Sequence, residues 1–174
     1  MWLKRLLRRT DDGDFDSELK NIDYLGGLLN FSIPEHWVEE YGEEGGGIFY
    51  RNAKDSGTLR LDVMTFESGP DAERIDVDRE VKEKAAEYDG VAVMLDEGNA
   101  YVRYDEESSE EGQQLKIRYW NIYNPVRPNH LRIAVFSYTL LASQFSDPRF
   151  QQELEMFEEQ IAKAQFATEL GQTN

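Results

Sequence analysis

Leu115-Lys116-Ile117-Arg118-Tyr119-Trp120-Asn121-Ile122-Tyr123 is followed, beyond two prolines, by Leu131-Arg132-Ile133-Ala134-Val135-Phe136-Ser137-Tyr138-Thr139-Leu140-Leu141. Both runs are rich in β-branched and aromatic residues and alternate with a period of two, the pattern of strands in a sheet. They read as a hairpin across Asn124-Pro125-Val126-Arg127-Pro128-Asn129-His130. A helix signal follows. Ser146 is the predicted cap, Asp147 suits the positive end of a helix and Pro148 its first turn. Phe150, Leu154, Phe157, Ile161 and Ala164 then recur at spacings of four and three, an apolar stripe along one helical face. Long paired strands running into a terminal helix predict an α+β fold, with an antiparallel β-sheet flanked by helices.

Working outward, Leu29, Phe31 and Ile33 share one face of a strand that Pro34 ends. Trp37 to Tyr41 reads as a second strand, and Gly45-Gly46-Gly47 as a turn into Ile48–Arg51. Gly57–Glu67 places Leu59, Leu61 and Val63 on one face and Arg60 and Asp62 on the other. Asp76 is positioned to cap a helix carrying Val77, Val81, Ala85 and Tyr88, which Asp89-Gly90 stops. Val91–Leu95 and Ala100–Tyr104 form a predicted hairpin around Glu97-Gly98-Asn99. The expected organisation is a basic turn and polar linker over 1–21, one domain over 22–167 and a frayed tail over 168–174.

The formal charge is -16 on 174 residues, from 35 acidic and 19 basic side chains, 12 of them Arg and 7 Lys. Such a surface repels nucleic acid, so that class of partner is excluded. The acid is spread over Asp11–Glu18, Glu39–Glu44, Asp71–Glu87, Asp105–Glu111 and Glu153–Glu159, which reads as a solvating shell rather than one docking block. An ordinary acidic cytoplasmic protein and a protein of a high-salt cell both fit it. Nine Phe, nine Tyr and three Trp argue for a packed core despite the charge. No apolar run approaches the ~18 residues of a membrane span. Cysteine is absent, which excludes disulfides, thiolate zinc sites and cysteine nucleophiles. The first nine residues, Met1 to Arg9, are basic and amphipathic. They fit a short helix docked on the domain or a partner subunit better than a membrane-surface anchor, because an isolated helix under ~12 residues is marginal.

Asn30-Phe31-Ser32-Ile33-Pro34-Glu35-His36-Trp37, then the glycine-rich turn and Gly57-Thr58-Leu59-Arg60-Leu61-Asp62-Val63, resemble the PsbP-like fold superfamily. So does the strand ending at Ser137-Tyr138 before a terminal helix with Phe150, Phe157 and Ile161. The resemblance spans residues 28–166 and rests on core and turn positions. That superfamily includes an extrinsic photosystem II subunit, a Ran-binding nuclear import factor and many bacterial proteins. It implies an α/β/α sandwich and a non-enzymatic binding or assembly role, in a bacterial branch. The chain shows no transit-peptide pattern and no lipoprotein cysteine, and no residue matches a Ran or photosystem contact.

One pattern carries a binding hypothesis. Arg60, Arg103, Arg118 and Arg132 fall on four different strands, each between apolar neighbours: Leu59/Leu61, Val102/Tyr104, Ile117/Tyr119 and Leu131/Ile133. If those neighbours share one layer, the arginines share the other, joined by Lys116 and Tyr101, with Trp120 and Tyr138 at the margin. Guanidinium groups match carboxylate and phosphate bidentately, so this face would suit a small anionic ligand or an acidic protein surface. The alternative is cross-strand pairing with Asp62, Asp105 and neighbouring glutamates. Arg127 and His130 in the proline loop form a second candidate contact. Asp12, Asp14 and Asp16 alternate as in a calcium loop, but Ser17 and Asp23 occupy the positions of its glycine and glutamate. His36 and His130 lack ligand-spaced partners, so no metal and no cofactor is expected. No nucleophile elbow, P-loop or dinucleotide fingerprint is present. The sequence therefore favours a binding or accessory protein. An enzyme acting on an anionic substrate and a membrane-peripheral protein tethered by residues 1–9 are the alternatives.

Overall fold

The protein is described from a computed structural model over residues 18–43, 45–68 and 75–170. The basic turn at residues 1–9 and the aspartates Asp12, Asp14 and Asp16 lie outside the described residues. The strands are β1 (Leu19–Tyr24), β2 (Leu29–Pro34), β3 (Val38–Tyr41), β4 (Gly47–Tyr50), β5 (Thr58–Glu67), β6 (Val91–Met94), β7 (Ala100–Glu110), β8 (Gln113–Val126), β9 (His130–Leu141) and β10 (Gln165–Phe166). Helix α1 (Val77–Glu87) lies between β5 and β6, and α2 (Pro148–Ala162) follows β9. Seven strands form one antiparallel sheet in the order β3-β4-β5-β9-β8-β7-β6, and β1-β2-β10 form a second. The fold is α+β, as predicted.

Alternation sorts the large sheet into two faces. On one, Phe49, Leu59, Leu61, Ala134, Phe136, Tyr138, Trp120 and Ile122 meet Phe31 and Ile33 of β2 and Phe150, Leu154, Phe157 and Ile161 of α2 in a single core. Phe31 sits edge-on to both Phe49 and Phe136, with ring centroids 5.4 and 5.0 Å away. This face is closed by a helix and a small sheet together. On the other face, Val77, Val81 and Ala85 of α1 pack on Ala100, Val102, Tyr123 and Leu131. Those residues belong to β7, β8 and β9, so among the described residues no helix covers the β4–β5 side of that face.

Several boundaries differ from the sequence reading, each for a physical reason. β1 starts at Leu19, inside the stretch that reads as a linker, because only Ile22 and Tyr24 of it are buried and its other face is polar. β8 runs through Pro125 and Val126, so the loop shrinks to residues 127–129. There Asn129 Nδ2 donates to Ser68 O at 2.8 Å, and Ser68 N–H and Oγ both donate to Asn129 O at 2.8 Å. β7 continues along the acidic stretch to Glu110 and turns at Glu111 and Gly112, both left-handed with φ of 50° and 80°. That is a two-residue hairpin turn, for which left-handed backbone is needed at both central positions. Helix α2 is capped by Asp147 rather than Ser146: its side chain accepts the Arg149 N–H at 2.9 Å. Beyond α2, β10 pairs with β2, and Ala167 N–H donates to Leu28 O at 3.1 Å.

Candidate functional site

The register divides the predicted arginine face. Arg103, Arg118 and Arg132 share the core face with Tyr101 and Lys116: Arg103 lies opposite Trp120, Arg118 opposite Tyr138, and Arg132 opposite Asn124. Arg60 lies opposite Ile48 and Ser137, on the other face. The four arginines would share a face only if all their apolar neighbours pointed one way. Leu59 and Leu61 do enter the α2 core, but Val102 packs with α1, because this sheet buries apolar side chains on both faces.

The three core-face arginines are engaged within the chain. Arg103 Nη1 donates to both carboxylate oxygens of Glu158 on α2, at 2.9 and 2.7 Å, and Tyr101 Oη donates to the same group at 2.9 Å. Burial and that hydrogen bond push the Tyr101 phenol up to about 12. Arg118 grips Asp105 bidentately, at 2.7 and 2.9 Å. The Arg118 guanidinium and the Lys116 ammonium both lie over the Phe145 ring, 5.1 and 4.3 Å from its centroid, cation–π contacts that anchor the start of α2. Arg132 is fully buried and donates to the carbonyls of Ala167 and Glu169. Burial lowers its pKa. The tail predicted to fray from Thr168 is thus held at Glu169. Trp120 and Tyr138 are core residues, not margins of a ligand face. Arg127 is exposed in the short loop, and His130 opens β9 opposite Glu67 and Val126.

A polar cluster sits at the β4–α2 end of the core. Glu153 of α2 is 3% exposed and accepts the Tyr138 hydroxyl. Arg149 Nη2 reaches Asp55 at 2.7 Å, and Arg51 Nη2 approaches the same carboxylate at 3.7 Å. Burial raises the Glu153 pKa; the Tyr138 hydrogen bond and the charges of Arg51 and Arg149 oppose that rise. Burial, then the Glu153 charge, raises the Tyr138 phenol. Gly57 is required here, because a Cβ on it would fall 2.2 Å from the Tyr138 oxygen. The sequence signal was available: Glu153 lies between Phe150 and Leu154, inside the apolar stripe. The six other glutamates and glutamines of α2 make it read as part of the solvating shell.

The face left open carries the row Ile48, Arg60, Ser137, Tyr119 and Tyr104 across five strands. Tyr88 of α1's C-terminal end stacks on Tyr104 with centroids 4.4 Å apart, and Tyr104 on Tyr119 at 4.9 Å. Burial raises the Tyr119 phenol, followed by the effect of Glu106, while Arg60 lowers it. Arg60 is exposed and forms no ion pair among the described residues. Met64 and Phe66, farther along β5 on this face, are 45% and 49% exposed. Arg60, Asp62, Met64 and Phe66 thus follow one another along this face of β5, all exposed. Among the described residues, no group of acidic or histidine side chains is placed to hold a metal ion, and no helix is long and apolar enough to cross a membrane.

No protein-family model matches the chain, and no curated protein matches its sequence. Solved structures do share its fold. A Bacteroides thetaiotaomicron protein matches with TM-score 0.59 at 18% identity over 85% of this chain, which spans 48% of that one. LpqN, described as involved in cell envelope biogenesis of Mycobacterium tuberculosis, matches with TM-score 0.59 at 12% identity, over 86% of this chain and 91% of that one. The Saccharomyces cerevisiae Ran-binding protein Mog1p matches with TM-score 0.54 at 13% identity, over 88% and 97%. At such identities the likeness is one of fold, and fold does not fix function.

Proposed function

We propose that this chain is a non-enzymatic binding or accessory protein of the PsbP-like superfamily, and that it meets a protein partner on the open half of its sheet. One observation carries the reading. Arg60, Met64 and Phe66 of β5 form an exposed mixed apolar and cationic strip on a face that α1 covers only in part. The fold neighbour Mog1p, described as Ran-binding, fits a protein-binding role in general terms. A small anionic ligand is less favoured than a protein, because Arg103 and Arg118 are already occupied by Glu158 and Asp105.

The test is site-specific photocrosslinking in extract of the native host, with the crosslinker at position 64 and, as control, at exposed Glu107. The expected result is a discrete adduct from position 64 that excess unlabelled protein competes away and an Arg60→Glu/Phe66→Glu variant does not. Equal labelling from both positions, or equal competition by the variant, removes the basis for the reading.

A further inference from the structure

The two edges of the seven-stranded sheet differ in a way the open face does not explain. An edge strand presents unpaired N–H and C=O groups, and proteins blunt it with charge, proline or a bulge. Edge strand β3 is Val-Glu-Glu-Tyr, two carboxylates in four residues, with Lys20 Nζ on Glu39 at 3.1 Å and Tyr50 Oη on Glu40 at 2.6 Å. Edge strand β6 is Val-Ala-Val-Met, without charge or proline. Val91 and Met94, its first and last residues, are 47% and 51% exposed.

The ladder tells which groups face out. Val91 lies opposite Arg103, Ala92 opposite Val102, Val93 opposite Tyr101 and Met94 opposite Ala100. The hairpin bond from Leu95 N–H to Asn99 O, 2.8 Å, marks that pair as hydrogen-bonded. Antiparallel pairs alternate, so Val93 and Val91 also bond inward. Ala92 and Met94 then turn both of their backbone groups toward the outside. Beside Met94 lies a cleft of about 400 Å³ lined by Ile75, Asp76, Val77, Asp78, Gly98 and Pro125. Asp89 precedes the edge, and Asp96 and Glu97 follow it.

We propose that β6 is a strand-addition site for an extended protein segment in which apolar residues alternate with lysine or arginine. Ala92 and Met94 supply main-chain hydrogen bonds, as in other edge-strand recognition. Side chains on one face of the added strand lie beside Val91. Those on the other reach the cleft, where a basic group meets Asp76 and Asp78. Asp76 already accepts the Arg79 N–H at 3.1 Å and Asp78 holds Lys82 at 2.6 Å, and each carboxylate keeps lone pairs for a second donor. A second copy of this chain fits poorly. Antiparallel self-pairing with Ala92 opposite Met94 would set Asp89 against Glu97 in a dimer already carrying twice -16. The site is separate from the β5 strip and does not depend on it.

The probe is a fluorescein-labelled peptide, Thr-Val-Lys-Val-Lys-Val-Thr, titrated into the full chain by anisotropy, with its lysines replaced by glutamate in a second peptide. The lysine peptide is expected to bind at least tenfold more tightly than the glutamate one, and to slow amide exchange at Ala92 and Met94 at least tenfold. Ala92→Pro removes an outward N–H without taking a ladder bond, and should weaken binding at least tenfold. Val91→Lys, at an exposed position, should do the same if the proline variant misfolds. Phe66→Glu should leave binding unchanged, which separates this site from the β5 strip. Equal affinity for both peptides, no binding at 1 mM peptide, or unaltered exchange at Ala92 and Met94 would overturn the proposal. So would sedimentation as a dimer that Ala92→Pro dissociates.

Discussion

Arg132 and Arg60 sit on adjacent strands of one sheet, each between apolar neighbours, yet one is the most buried cation of the described chain and the other is exposed. The difference lies in what covers each face. Two layers, α2 and the β1-β2-β10 sheet, close over the Arg132 side, and Arg103, Arg118 and Arg132 all find internal acceptors there. Among the described residues one helix covers part of the Arg60 side, and Arg60, Met64 and Phe66 there are exposed. A strand pattern reports that a side chain alternates; it does not report how many layers wait on each side.

Truncation should expose this asymmetry most strongly in the core. Trp120 and Tyr119 are sequence neighbours on β8 pointing to opposite faces, one fully buried and one half-buried. Trp120→Ala should cost about 3–5 kcal/mol of unfolding free energy, the usual range for emptying a large aromatic site. Tyr119→Ala should cost clearly less, read from urea midpoints of the two variants. Equal losses would mean that the open face is as tightly packed as the closed one. Next in size is Arg132→Ala, which leaves the Ala167 and Glu169 carbonyls without their donor. A loss of about 1–3 kcal/mol is expected, accompanied by faster amide exchange in residues 165–169. Unchanged exchange there would show that the tail is held by β10 pairing alone.

The Glu153–Tyr138 pair gives the closed face a pH signature. Burial raises the Glu153 pKa in the folded state, so the folded chain holds that proton at pH values where the unfolded chain has released it. Its contribution to stability is present below the unfolded carboxylate value, near 4.5, and is lost as pH rises through the folded value. The slope of unfolding free energy can reach about 1.4 kcal/mol per pH unit for one proton. Glu153→Gln should remove this fall while leaving the titration of the other carboxylates in place. The check is the difference between wild-type and variant urea stability from pH 4.5 upward. A constant difference across that range would contradict the assignment.

Much of the architecture was legible. Leu29, Phe31 and Ile33, the Asp76 cap, the Val77–Val81–Ala85 spacing and the Phe150–Ile161 stripe all mark structure through short-range alternation or helical period, and these hold. What was illegible is long-range. β1 and β10 make sense only beside β2, and neither has enough apolar residues to announce itself. The acidic end of β7 is a strand because β8 pairs with it, not because its residues prefer that state. The candidate site suffered most, since whether Arg60 shares a face with Arg103 turns on the parity of three successive strand pairings. The expected Arg118–Asp105 cross-strand alternative is present. The Glu158 partner of Arg103 comes from a helix 55 residues away in sequence, which no strand pattern encodes.

Arg60→Ala is expected to have the smallest effect on stability, and for that reason it discriminates best between contact surface and scaffold. An exposed side chain without a structural partner changes stability by no more than about 0.5 kcal/mol on truncation. Its neighbours on the sheet, Ile48 and Ser137, contribute their own packing whether or not the guanidinium is there. The same substitution should nonetheless weaken any association made through the β5 strip, because the guanidinium shares its exposed face with Met64 and Phe66 and would be desolvated by a partner and not by the fold. Unfolding and adduct yield should therefore part company in this variant: an unchanged urea midpoint with a lower photocrosslinking yield from position 64. If the two fall together, Arg60 is a structural residue and the open face owes its exposure to sheet geometry alone.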